Sequence, residues 1–77
     1  MEPGQQVLVL VPTWFYPSTR EDKTLCGNAV RRYPPTTASI VCVGTTPGRL
    51  LVRIEHPQCK EQNHYYAWIF CQFVQPL

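Results

Sequence analysis

Two histidines, His56 and His64, bracket a polar loop that also carries Cys59, Lys60 and Glu61, and Glu55 stands just before it. On paper these are the residue types of general acid–base or thiolate chemistry. A nucleophilic Cys59 would need a positive neighbour to stabilise its thiolate, and only Lys60 is adjacent in the chain. Adjacency in sequence is not a site. These residues are more simply the polar neck of a loop, satisfying backbone groups and water. There is no glycine-rich phosphate loop, no Gly-x-Ser-x-Gly and no His-Glu-x-x-His. The four cysteines, Cys26, Cys42, Cys59 and Cys71, include no Cys-x-x-Cys pair that would pin two zinc ligands to one turn. We therefore expect no catalytic residue, no metal and no cofactor, and a chain that is not an enzyme.

The aromatic residues carry more information. Two tryptophans, four tyrosines and three phenylalanines are more than a core this small can readily hide. Thr13-Trp14-Phe15-Tyr16-Pro17 sets three rings side by side, and a loop cannot bury three adjacent rings on one side. At least one of them is expected to plug the core. Trp14, Phe15, Tyr16, Tyr33, Tyr66 and Trp68 form the expected partner-binding set, suited to an extended or proline-rich peptide or to a larger assembly. A cage for a methylated cation would want a carboxylate beside the rings, and none is evidently placed for one. The alternative is nucleic acid, with Arg31, Arg32, Arg49, Arg53 and Lys60 on phosphates and tyrosines stacking on bases. The formal net charge of +2 is too small for a binder driven mainly by counterion release.

The chain has 77 residues, enough for one domain near the lower limit of a single hydrophobic core. At 44% hydrophobic and 16% charged it is too apolar to be disordered. Eight prolines, roughly twice the usual share of about 5%, argue against long helices. The apolar run Val7–Val11 is too short for a secretory signal or a membrane span. A cytoplasmic or otherwise reducing location without membrane insertion is expected, with the cysteines as free thiols rather than two disulfides. Cys42 and Cys71, inside apolar runs, read as small buried hydrophobes.

The elements that must position these residues centre on Ala38–Glu55. Two β-rich runs flank Thr46-Pro47-Gly48-Arg49, where Pro47 presets φ and Gly48 supplies the positive φ of a type II turn. The second run alternates, with Leu50, Val52 and Ile54 facing the core and Arg49, Leu51, Arg53 and Glu55 facing water. Gly4–Pro12 is the first strand, with Val7, Val9 and Val11 on one face and Leu8 and Leu10 on the other. Both faces are expected to be largely covered. Residues 13–37 form a long first loop, irregular from Ser18 onward, with a turn at Gly27-Asn28 and a short strand over Ala29–Tyr33. A one- or two-turn helix could start at Ser18 or Thr19. His64–Cys71 is an aromatic strand, in which Tyr65, Ala67, Ile69 and Cys71 alternate with Tyr66, Trp68 and Phe70. The tail Gln72–Leu77 allows one 3₁₀ turn and a last short strand against the first, around Phe73 and Val74.

About five short antiparallel strands in one domain over residues 1–77 suit a small, strongly bent barrel that closes its own edges. A Gly-x-x-Val opening strand, a long aromatic first loop, a central Ile-Val-x-Val hairpin and an aromatic closing strand together resemble the SH3-like barrels, Tudor and KOW modules among them. Gly4-Gln-Gln-Val-Leu-Val-Leu-Val-Pro-Thr-Trp-Phe-Tyr, followed by Ala38-Ser-Ile-Val, Thr46-Pro-Gly and Val52-Arg-Ile, is similar to the small SH3-like peripheral subunit of photosystem I. That resemblance implies an all-β adaptor or small subunit that docks a partner protein. Ser18–Thr37 intrudes where that family turns quickly, and no functional residue carries over. On this reading Val52→Asp unfolds the domain by burying an unpaired charge, whereas Leu51→Asp, facing water, is tolerated.

Overall fold

The structure, a computed structural model, describes residues 2–17, 29–55 and 64–77. The fold is all-β. Its strands are β1 (Gln6–Val9), β2 (Thr13–Phe15), β3 (Val30–Arg32), β4 (Thr36–Val43), β5 (Arg49–Glu55), β6 (His64–Phe70) and β7 (Val74–Pro76). A 3₁₀ turn, Cys71–Phe73, leads from β6 into β7. Five strands make an antiparallel sheet in the order β6-β5-β4-β1-β7, while β2 and β3 pair as a second, two-stranded sheet. Among the described residues no helix is long and apolar enough to cross a membrane.

The central hairpin forms as its sequence dictates. The Arg49 N–H donates to the Thr46 carbonyl at 3.2 Å and Gly48 sits at φ +82°, as a type II turn requires. Leu50, Val52 and Ile54 are buried with Val7, Val9, Phe15, Ala38, Ile40, Tyr65, Ala67, Ile69 and Val74 in one core, against which Val11 packs. The other face of β1 is less covered than expected, because Leu8 is half-buried and Leu10 is exposed. β7 pairs with β1 through Val9 and Val74, as the tail's composition suggested.

Three further parts of the fold depart from expectation: the outer face around Leu51 with the two cysteines, residues 13–37, and the closure of the barrel. Leu51 does not face water: it is only 3% exposed. It lies opposite Cys42 on one side and Trp68 on the other, so a second apolar layer covers the outer face of the sheet there. Cys42 is itself only half-buried and Cys71 is exposed; both carry free thiols. The β4–β5 register slips between Ile40 and Cys42, and this irregularity turns Cys42 to the outer face although Ile40 points inward. Cys71 escapes burial because regular alternation stops at Phe70, where the 3₁₀ turn begins.

The second correction concerns residues 13–37. The short strand expected over Ala29–Tyr33 is present as Val30–Arg32, but Thr13–Phe15, expected as loop, is also a strand and Thr36–Thr37 already belong to β4. Phe15 and Val30 stand opposite each other and pack on the core, which gives this hairpin an apolar anchor. The helix start at Ser18 or Thr19 and the turn at Gly27-Asn28 lie outside the described residues.

The third correction is that the barrel does not close. β6 and β7 are the two edges of the large sheet and do not pair with each other. Each edge is managed separately. The β6 edge receives the β2–β3 hairpin at one bridge, Tyr16 with Tyr66. Along β7, Phe73 and Leu77 bond toward β1, so Val74 and Pro76 turn outward. Val74 already donates its N–H to the Cys71 carbonyl and Pro76 has none, so this edge offers no donor to a further strand.

Two stability outcomes follow. Leu51→Ala should cost about 2–4 kcal/mol and Leu51→Asp should be poorly tolerated, close to Val52→Asp, as read from urea unfolding midpoints. Gly48→Ala should cost about 1 kcal/mol from backbone strain alone, since the nearest atom to its new Cβ would be the Cys71 Sγ at 3.9 Å.

Candidate functional site

The aromatic site is built from the bridge between Tyr16 and Tyr66. The Tyr16 N–H donates to the Tyr66 carbonyl at 2.8 Å, and the Tyr66 N–H donates to the Tyr16 carbonyl at 2.7 Å. Because Tyr16 spends its backbone groups on β6, alternation turns those of Thr13 and Phe15 toward β3. Trp14 and Arg31 then face each other as a non-hydrogen-bonded pair, the arrangement that brings cross-strand side chains closest. The Arg31 guanidinium lies 5.6 Å from the Trp14 ring centroid and 5.2 Å from that of Tyr33.

Stepping two residues along each strand from the bridge brings Trp14 alongside Trp68 on one face. No second bridge is formed there among the described residues, so β2 and β6 diverge into a wedge. The opening is a groove of about 300 Å³ with Trp14, Tyr16, Trp68 and Phe70 along its sides, and with Val11, Ile69 and Phe73 also lining it. That volume is at the lower end for ligand pockets, enough for a few side chains rather than a whole cofactor.

The second wall is held differently. The Arg49 guanidinium stacks 5.3 Å from the Trp68 centroid. Gly44 makes this possible, since a Cβ there would come within 2.8 Å of Trp68 Cζ3 and 3.3 Å of Arg49 Cβ. Each tryptophan therefore carries an arginine, Arg31 from β3 on Trp14 and Arg49 from β5 on Trp68, beside the groove's walls rather than in its lining. Cation–π stacking of this kind is worth about 0.5–1 kcal/mol at exposed sites and fixes the rings more than it stabilises the fold.

The expected partner-binding set is partly brought together. Trp14, Tyr16 and Trp68 line the groove, and Tyr66 shares the bridge beside it. Tyr33 flanks the groove through Arg31 and is 66% exposed. Phe15 is removed from the set: it is 0% exposed, the ring of the three that plugs the core. Trp14, by contrast, is 48% exposed. Phe70 and Phe73 were missed. The Tyr66/Trp68/Phe70 alternation was signal enough for Phe70, whereas Phe73 arrives only because the 3₁₀ turn bends it back.

The arginine set is divided. Arg31 is on the aromatic face, while Arg32, one residue on, points to the opposite one. Arg49 and Arg53 share the outer face of β5, opposite Phe70 and Tyr66. Lys60 lies outside the described residues, as do His56, Cys59 and Glu61. His64 stands opposite Glu55, and its Nδ1 is buried with no hydrogen-bond partner. Among the described residues no three His, Cys, Asp or Glu side chains come together as metal ligands would. Comparison of the chain with protein-family models, with curated proteins and with solved structures gave no match.

Gly44→Ala should push the Trp68 ring off its seat at a cost of about 1–3 kcal/mol. The checks are a shift in tryptophan emission in a Trp14→Phe background and a lowered unfolding midpoint.

Proposed function

We propose that this chain is a non-enzymatic interaction module with an SH3-like arrangement, docking an extended segment of a partner protein in the groove between β2 and β6. The observation that carries this is the wedge itself, whose two tryptophans are walls while Val11, Ile69 and Phe73 also line it. Exposed rings in fixed orientation are costly to leave unused, and aromatic anchors of this kind dominate binding energy at protein interfaces. The SH3-like assignment is supported by the sheet order β7-β1-β4-β5-β6, by a first connection that folds over the β6 edge, and by the 3₁₀ turn before the last strand. A small-subunit or adaptor role fits a domain whose surface, rather than a cavity, carries its distinctive residues.

Nucleic acid is the weaker reading, because Arg32 faces away from Arg31 and the basic residues do not form one stripe. The two are separated by salt. A protein captured from native lysate by the tagged domain, retained at high salt and bound at least tenfold more weakly by Trp14→Ala, is the expected result. Truncating one anchor residue costs about 2 kcal/mol, or roughly 30-fold. Nucleic acid released at modest salt, with Trp14→Ala unaffected, would move the function to the arginines.

A further inference from the structure

The arginines stacked on the two tryptophan walls bear on what flanks the groove's occupant. Arg31 is held between Trp14 and Tyr33, so its guanidinium plane is oriented before any ligand arrives. No carboxylate among the described residues pairs with Arg31, and none lines the groove. Stacked in this way, a guanidinium keeps its in-plane N–H groups for a partner, and that fork matches a carboxylate with two parallel hydrogen bonds. Arg49 adds a second positive charge over the Trp68 wall. A cationic or methyl-ammonium ligand would meet the Arg31 charge beside the Trp14 wall and, among the described lining residues, no carboxylate, so the electrostatics oppose it.

We infer that the occupant is an extended, apolar protein segment flanked by an acidic residue, whose carboxylate pairs with Arg31 while the apolar residues fill the space between Trp14 and Trp68. This rests on the docking reading above and adds the sign and place of the charge that selects the partner. The contribution is mainly to selection: a charged hydrogen-bonded pair at a rim changes affinity by about tenfold, less than the aromatic anchors do.

The test uses a phage-displayed library of random 12-residue peptides selected on the full chain, on Arg31→Glu and on Trp14→Ala, each checked for native circular dichroism. The wild-type pool should be enriched in Asp or Glu at one fixed distance from apolar residues or proline. Arg31→Glu should lose that position or exchange it for Lys or Arg, and Trp14→Ala should enrich nothing. For the best peptide, Glu→Gln should weaken binding about tenfold to the wild type and leave binding to Arg31→Gln unchanged, as a double-mutant cycle requires. Apolar enrichment without an acidic position, or an acidic position that survives Arg31→Glu, overturns the charge assignment and leaves the docking reading standing. Peptides that ignore Trp14, or no enrichment at all, overturn both. Displacement of the peptide by a 15-residue oligothymidylate, lost steeply with salt, would also overturn the inference in favour of nucleic acid.

Discussion

Two backbone hydrogen bonds between Tyr16 and Tyr66 set the geometry of the aromatic groove. They fasten the β2–β3 hairpin to an edge of the five-stranded sheet, and among the described residues they do so at one point. Beside that point Phe15 is sunk in the core, so the hairpin cannot rotate about its bridge. Away from it the strands are free to part, and their parting is the groove. A continuous ladder between β2 and β6 would have laid Trp14 flat beside Trp68 and left no space between them. One bridge and one buried ring together make an opening with rigid walls.

Much of this fold was legible. The period-two alternation of Arg49–Glu55 and His64–Phe70, the Pro47-Gly48 turn and the closing strand are local signals, each with its own physical cause. What was not legible depends on contacts between distant residues. Nothing near Leu51 says that Trp68 and Cys42 will cover it, because one face of a strand looks wet whenever its other residues are charged. Nothing near Cys42 announces the register slip that turns it outward. The stretch Thr13–Phe15 looked like loop because it is short and ends at proline, yet pairing with Val30–Arg32 makes it a strand.

The site was legible in composition and not in arrangement. An excess of aromatic residues pointed to a surface, but three adjacent rings could not be sorted by type into one buried, one half-buried and one exposed. Alternation does the sorting once the bridge fixes the phase: Phe15 goes in, and Trp14 and Tyr16 go out. The same phase separates Arg31 from Arg32, which in the sequence look like one basic patch.

That separation bears on what the proposed docking surface would select. Four arginines spread over one face would form a field that attracts any polyanion and discriminates little among them. Here Arg31 is clamped by two rings, Arg49 is stacked on a third, and Arg32 is directed elsewhere. Clamping a guanidinium limits its reach and gives it a direction. A flexible phosphate backbone gains little from such direction, whereas a carboxylate next to an apolar anchor gains both hydrogen-bond geometry and register. In the docking we propose, the aromatic walls supply the binding and the arginines stacked on them decide which segments may lie between them.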